Sequence, residues 1–326
     1  MDHPVPEKRT VLRLDPWPPE YDSAVQFGEI EAEIAGVIDT TVETTGWKAI
    51  HPESSSASPS ICFVDGVRRV EARVIADVNH KPVHGLFGCT GVGYTKICDH
   101  NASFGDLCVE RFLILGAGLK QSDVIRVGNL DLRFEGVSST LNSPLELLGE
   151  LQNLMRTFEA NLGQRLASSG ACVFADGPLT YYAIAKQEVV GVIKSIYLPY
   201  LSPEHFAIVS TLEAGYRTPL FAIKDGKYNR YSWFLRVAKG RAVDHALAGI
   251  LRLEVREAIG VDRAKQMANL SATELPRFAS SSIRDPRAPQ NLLPIGALES
   301  ELRRHLGDSV LVRRGIEKRL LEGVSE

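Results

Sequence analysis

Two short stretches of this sequence share one form. Phe63-Val64-Asp65-Gly66 and Phe174-Ala175-Asp176-Gly177 are apolar runs that each end in an aspartate and a glycine. A buried strand that delivers a carboxylate at its end places it in a cleft. If two such strands are neighbours in a sheet, Asp65 and Asp176 sit side by side, and two carboxylates that close repel unless a cation bridges them. Hard divalent ions such as Mn2+ or Mg2+ suit all-oxygen sites. Glu159, on an amphipathic segment between the two stretches, is the third carboxylate. Such a set would hold two ions ~3.5–4 Å apart, which activate a water and stabilise the leaving oxygen in phosphodiester cleavage. Each Asp-Gly alone reads more readily as a turn. The repetition around one helix raises the metal reading above that.

The elements that must position these residues are legible in outline. Residues 61–66 and 70–78 read as successive strands, followed by strand candidates at 91–97, 107–115, 124–127 and 130–134. Ser143-Pro144 opens a long helix with Leu147, Leu151, Leu154, Phe158, Leu162 and Leu166 at three- and four-residue spacing. Glu146, Glu150 and Glu159 all ride on it. Glu146 falls in the first turn, where the helix dipole alone favours an acid, so Glu159, at the edge of the apolar stripe near the end that feeds Asp176, is preferred. Strands are expected at 189–196, 220–223, 231–237 and 248–255, and helices at 29–37, from Pro203, at 261–270, 292–306 and 315–321. The proline-rich residues 1–20 read as an extended arm. The division is an N-terminal arm and helix over 1–60 and one domain over 61–326, with a β-rich insertion at about 83–139 and C-terminal helices at about 260–326.

The chain has 326 residues and a formal net charge of −3. Its ordinary composition excludes collagen-like, disordered and disulfide-stapled classes. No apolar run approaches the ~20 residues of a membrane helix, and Met1-Asp2-His3-Pro4 does not read as a signal peptide. Five scattered cysteines read as cytosolic thiols. The charge is uneven: residues 1–177 hold 15 basic and 24 acidic side chains, and residues 178–326 hold 22 and 16. Seven cations, among them Arg217, Lys227, Arg230 and Arg241, lie between 217 and 241, with Tyr231 and four other aromatics interleaved and Tyr216 just before them. Cations that track phosphates and rings that stack on bases would suit a nucleic acid strand. A β-hairpin with its aromatics in the core has the same composition, and taken alone the composition favours it.

Asp on a hairpin strand, Glu on the following helix and Asp on the next strand is the layout of RNase H-like nucleases. The residues further resemble the NurA nuclease family, as a divergent bacterial-type member, over roughly residues 60–305. The likeness rests on Phe63–Gly66, the Glu159 helix running into Val173-Phe174-Ala175-Asp176-Gly177-Pro178-Leu179, and Gly191-Val192-Ile193-Lys194-Ser195. It implies an α/β fold with an RNase H-like mixed sheet flanked by helices. It also implies Mn2+-dependent DNA nuclease activity with 5′ to 3′ end resection, a homodimer, and a HerA-type hexameric translocase as partner. Its carboxylates fall on Asp65, Glu159 and Asp176, and Lys194 would contact the phosphate. Family members carry a Tyr and, eight residues later, a His near the C-terminus. Here Asn291 and Glu299 stand eight apart instead. Glu299 is therefore either a substitute ligand or an ordinary surface acid.

Two other classes remain: a non-catalytic nucleic-acid or partner-binding protein on the same fold, which the missing Tyr and His favour, and an RNA nuclease. His84, Cys89, Cys98, His100 and Cys108 lack the close ligand pairs of a zinc site. The glycines between 85 and 93 lack a following Lys-Ser/Thr, and Gly-x-Ser-x-Gly is absent.

Overall fold

The computed structural model describes residues 10–14, 36–52, 60–98, 101–182, 186–196, 200–226, 228–281, 283, 285 and 287–322. The expected helix at 29–37, apart from its last residues, most of the 1–20 arm, and Lys227 lie outside them. Three long strands, β3 (Ile61–Val78), β4 (Lys81–Cys98) and β5 (Asn101–Leu115), form an antiparallel meander. Helix α1 (Pro144–Ser168) then crosses to β8 (Cys172–Asp176), which lies parallel to β3, and β9 (Val189–Ile193) lies parallel to β8. The order β9-β8-β3-β4-β5 is the RNase H-like arrangement. Strands β12 (Ile250–Arg256), β11 (Arg230–Arg236), β10 (Phe221–Lys224) and β2 (Val37–Asp39) extend the sheet beyond β9. A hairpin of β6 (Asp123–Val127) and β7 (Leu130–Ser138) extends it beyond β5, and β1 (Leu12–Leu14) pairs with the far half of β3. Helices α2 (Pro203–Thr211), α3 (Val261–Glu274), α4 (Leu293–His305) and α5 (Ser309–Glu322) cover the sheet. No described helix is long and apolar enough to cross a membrane.

Three expectations need correcting. Residues 61–66 and 70–78 are one strand, interrupted only by an irregularity between Val70 and Ala72, so Asp65-Gly66 lies within a strand rather than at its end. Gly66 does not adopt the positive φ that favours glycine. A Cβ there would stand 2.6 Å from Glu159 Oε1 and 3.0 Å from Met155 Cγ, so glycine is required by the approach of α1. Gly177, with φ 89°, is a true turn glycine. The β-rich stretch at 83–139 consists of most of β4 and all of β5, both strands of the central meander, together with the β6–β7 hairpin. Finally, Glu159 is not at the edge of the apolar face of α1: it is 4% exposed, among Met155, Ala160 and Leu162.

The alternation of β3 and β8 sorts the site residues by face. Ile61, Phe63, Cys172 and Phe174 join Trp233, Leu251, Leu253, Met267, Leu292 and Ile295 under α3 and α4. Val67 packs on Leu298 and Leu302 of α4. Cys62, Val64, Val173 and Ala175 pack on the other face with Met155, Ala160 and Leu162 of α1. Phe63 and Phe174 are fully buried with centroids 5.6 Å apart, each contributing about 2–3 kcal/mol by burial. This packing fixes the strands that carry Asp65 and Asp176. The start of α1 matches expectation: Ser143 caps it, Pro144 takes the first turn, and Glu146 completes a capping box.

Candidate metal centre

Because β3 and β8 run parallel with Phe63 opposite Phe174 and Val64 opposite Ala175, Asp176 follows one step beyond, beside Asp65. By alternation both belong to the α4 face. Helix α4 brings Glu299 down on them. One ligand oxygen each from Asp65, Asp176 and Glu299 lies within 4.8 Å of the others, and among the described residues this is the one such trio of His, Cys, Asp or Glu. Twice a metal–oxygen distance of ~2.1–2.6 Å is ~4–5 Å, so the trio has the size that one hard cation would span. Glu159, expected as the third member, is not part of this trio; its Oε1 lies over Gly66 on the opposite side of the sheet. It shares with Asp176 a cavity of about 10 Å³, lined also by Arg156, Tyr181 and Tyr182.

Three cations attend the carboxylates. Lys194 Nζ lies 2.7 Å from Asp176 Oδ1 and donates to Asn291 Oδ1 at 2.8 Å. Arg156 Nη1 donates to Glu159 Oε2 and to the Asp176 carbonyl, both at 2.8 Å. Arg287 grips Glu299 with both terminal nitrogens, at 2.9 and 2.8 Å. Asn291 is fully buried and donates to Asp285, which ties the loop before α4 to Lys194. Asp65 Oδ1 accepts the Gly66 N–H at 2.8 Å. Its Oδ2, and Glu159 Oε1, are buried without a donor. A buried carboxylate oxygen without a donor is costly, and hard oxygen donors left in this state fit a divalent ion. Burial pushes the Asp65 carboxyl well above its usual range, the neighbouring Asp176 adds to this, and Lys194 opposes it. Burial also raises Glu159, against the pull of Arg156.

The expected nucleic-acid segment is built differently. Arg217 is 1% exposed and bonds Glu43, Asn269 and its neighbour's carbonyl. Arg230 is equally buried, against Asp225, Glu254 and the Tyr228 ring. Tyr231 belongs to the core with Trp233. These three cannot reach a phosphate or a base from inside the sheet, and their assignment as nucleic-acid contacts is withdrawn. The aromatics do face the core, but most of the interleaved arginines are buried with them. Arg241 is exposed, paired with Asp244. No sequence signal singled out Arg287 as part of this machinery. Arg287 appears in the sequence as a loop cation, twelve residues before Glu299.

An apolar cavity of about 380 Å³, lined by Ile97, Phe104, Phe278, Leu293 and Pro294, contains none of the carboxylates. No disulfide joins the described cysteines; Cys89 is buried against Glu71, and Cys98 and Cys108 are exposed.

Among solved structures, the chain is similar to the NurA nuclease from Sulfolobus solfataricus, at 9% identity, covering 78% of this chain and 81% of that one, with a TM-score of 0.44. No curated protein matches it. The family model described as the NurA domain matches residues 59–295, a span that holds Asp65, Glu159, Asp176, Lys194 and Asn291. The chain belongs to the NurA nuclease family.

Proposed function

We propose that this protein is a metal-dependent deoxyribonuclease, hydrolysing phosphodiesters at Asp65, Asp176 and Glu299. One observation carries the reading: three carboxylates from three separate elements converge within 4.8 Å around a buried Asp65 oxygen that has no donor. When bound, a divalent ion, Mn2+ or Mg2+, would supply Lewis acidity toward the phosphodiester and lower the pKa of a nearby water. The chain's own residues do the rest. Asp65 and Asp176 are held rigidly by the strand core. Glu159 and Arg156 brace the Asp176 backbone from the α1 face. Lys194, poised on Asp176 and Asn291, is the cation that meets a phosphate oxygen as the substrate arrives.

Family membership supports the wider reading: a cytoplasmic homodimer that resects DNA ends 5′ to 3′, with endonuclease activity, beside a HerA-type hexameric translocase in repair or phage defence. The test is degradation of end-labelled single- and double-stranded DNA with Mn2+, Mg2+ or EDTA, comparing wild type with Asp65→Ala and Asp176→Ala, alone and with a HerA-type partner. Metal-dependent cleavage lost in both variants is expected. An inert wild type, with and without the partner, would establish the second reading, a non-catalytic nucleic-acid or partner-binding protein. That reading is favoured by Asn291 and Glu299 standing where Tyr and His are expected.

A further inference from the structure

Among the described residues five carboxylates meet in this region: Asp65, Glu159, Asp176, Glu299 and Asp285. Three cations are already committed to them, Lys194 to Asp176, Arg156 to Glu159 and Arg287 to both Glu299 and Asp285. Asp65 alone has a buried oxygen without a donor beside two other ligand carboxylates. Among the described residues the cluster thus carries an excess of two negative charges. A single divalent ion would bring it to neutrality, whereas a second ion would leave an excess of two positive charges. Burying uncompensated charge is strongly disfavoured. Space points the same way. On the α1 side, where a second ion would have to use Glu159, the cavity is about 10 Å³, room for about one water, and Arg156 already holds that carboxylate.

We propose, on the basis of the metal-dependent reading above, that Arg287 takes the place of a second cation, so that the centre loads one divalent ion on Asp65, Asp176 and Glu299. Arg287 is suited to this exchange. Its guanidinium covers both Glu299 oxygens, its side chain is 54% exposed, and Asp285 offers it an alternative partner at 3.3 Å. It therefore competes with the ion for Glu299 and then remains beside it as the second positive group.

The test is the stoichiometry and affinity of Mn2+ by titration calorimetry and by electron paramagnetic resonance, on the full-length chain without DNA. Wild type is expected to bind one ion per chain. Arg287→Gln, which removes a positive charge next to a ligand, is expected to bind that ion about tenfold more tightly. Arg287→Lys, which keeps the charge, should stay near wild type, and Glu299→Gln should weaken binding. Thermal melts confirm that each variant is folded. Two ions per wild-type chain would overturn the proposal. So would an Arg287→Gln affinity that is unchanged or lower, since Arg287 would then merely hold Glu299 in place. A wild type that binds no Mn2+ is distinguishable from both, and would overturn the metal-dependent reading and the proposal together.

Discussion

Two buried charged regions of this molecule lie in one sheet, separated by β8 and β9, and are finished differently. On β12, Glu254 is fully buried. Its Oε1 accepts the Leu179 N–H at 3.0 Å and the Tyr228 hydroxyl, and its Oε2 accepts Arg252 Nη1 at 2.8 Å, with Arg230 Nε 3.2 Å away. Tyr200 lies beneath both arginines and Tyr228 beneath Arg230. Both oxygens of Glu254 are satisfied, and the carboxyl stays below its usual range: burial opposes this, but Arg252 and Arg230 prevail. At Asp65 the same degree of burial leaves one oxygen without a donor and the carboxyl raised. The contrast separates architecture from chemistry. A buried charge with completed bonding holds the sheet together, here by anchoring the loop that follows Asp176. A buried charge left incomplete next to two others marks where a ligand completes it.

The largest expected effect breaks the comparison on the functional side. Asp65→Asn should reduce metal-dependent DNA cleavage by on the order of 10³-fold, while leaving the metal-free protein as stable as wild type or more so, because it removes an unpaired buried charge. Cleavage rates and urea unfolding with EDTA measure the two halves. A destabilised but active variant would show that Asp65 is architectural.

Glu254→Ala should do the opposite. It strands Arg252 and Arg230 without their shared carboxylate and should cost about 3–5 kcal/mol of stability, with or without Mn2+, measured by denaturant unfolding. A loss that appears only when Mn2+ is present would place Glu254 in the metal centre.

The two sites should also respond to pH with opposite signs. Asp65 has a raised carboxyl, so the folded protein binds more protons than the unfolded chain above the ordinary carboxyl value of 3.8. Stability from this group is therefore lost as pH rises toward its folded value. Glu254 has a lowered carboxyl, so its contribution is present above the ordinary 4.5 and lost as pH falls through its folded value. Thermal melts across pH in EDTA should show Asp65→Asn removing the loss on the rising side and Glu254→Gln changing only the acid side. Mn2+ affinity should rise with pH until Asp65 has given up its proton, by up to about tenfold per pH unit; a flat profile would mean that Asp65 is ionised without the ion.

The smallest effect is expected at Arg241, whose exposed pair with Asp244 lies outside both regions. Arg241→Ala should change stability by no more than about 0.5 kcal/mol. Its effect on DNA affinity, read from a salt titration, decides whether any of the 217–241 segment touches DNA.

Much of this protein is set by local sequence. The spelling of the two apolar runs located β8 and the start of β3, and the three- and four-residue apolar spacing located α1. Ser143-Pro144 marked where α1 begins, because capping and periodicity involve residues within a turn or two of each other. Asp65 and Asp176 were legible for the same reason. Tertiary structure decided the rest. Nothing local distinguishes Gly66, in a continuing strand, from Gly177, in a turn; only the approach of α1 requires the first and only the positive φ the second. Nor does the spacing of Arg217, Arg230 and Tyr231 reveal that β11 is an inner strand flanked by β10 and β12, with Arg230 closed against Asp225 and Glu254, and Arg217 against the distant Glu43. Glu299 lies more than 120 residues beyond Asp176, and joins Asp65 and Asp176 because α4 packs on their face of the sheet while α1, with Glu159, packs on the other. Which face a helix covers depends on long-range packing, and that packing chose the third carboxylate.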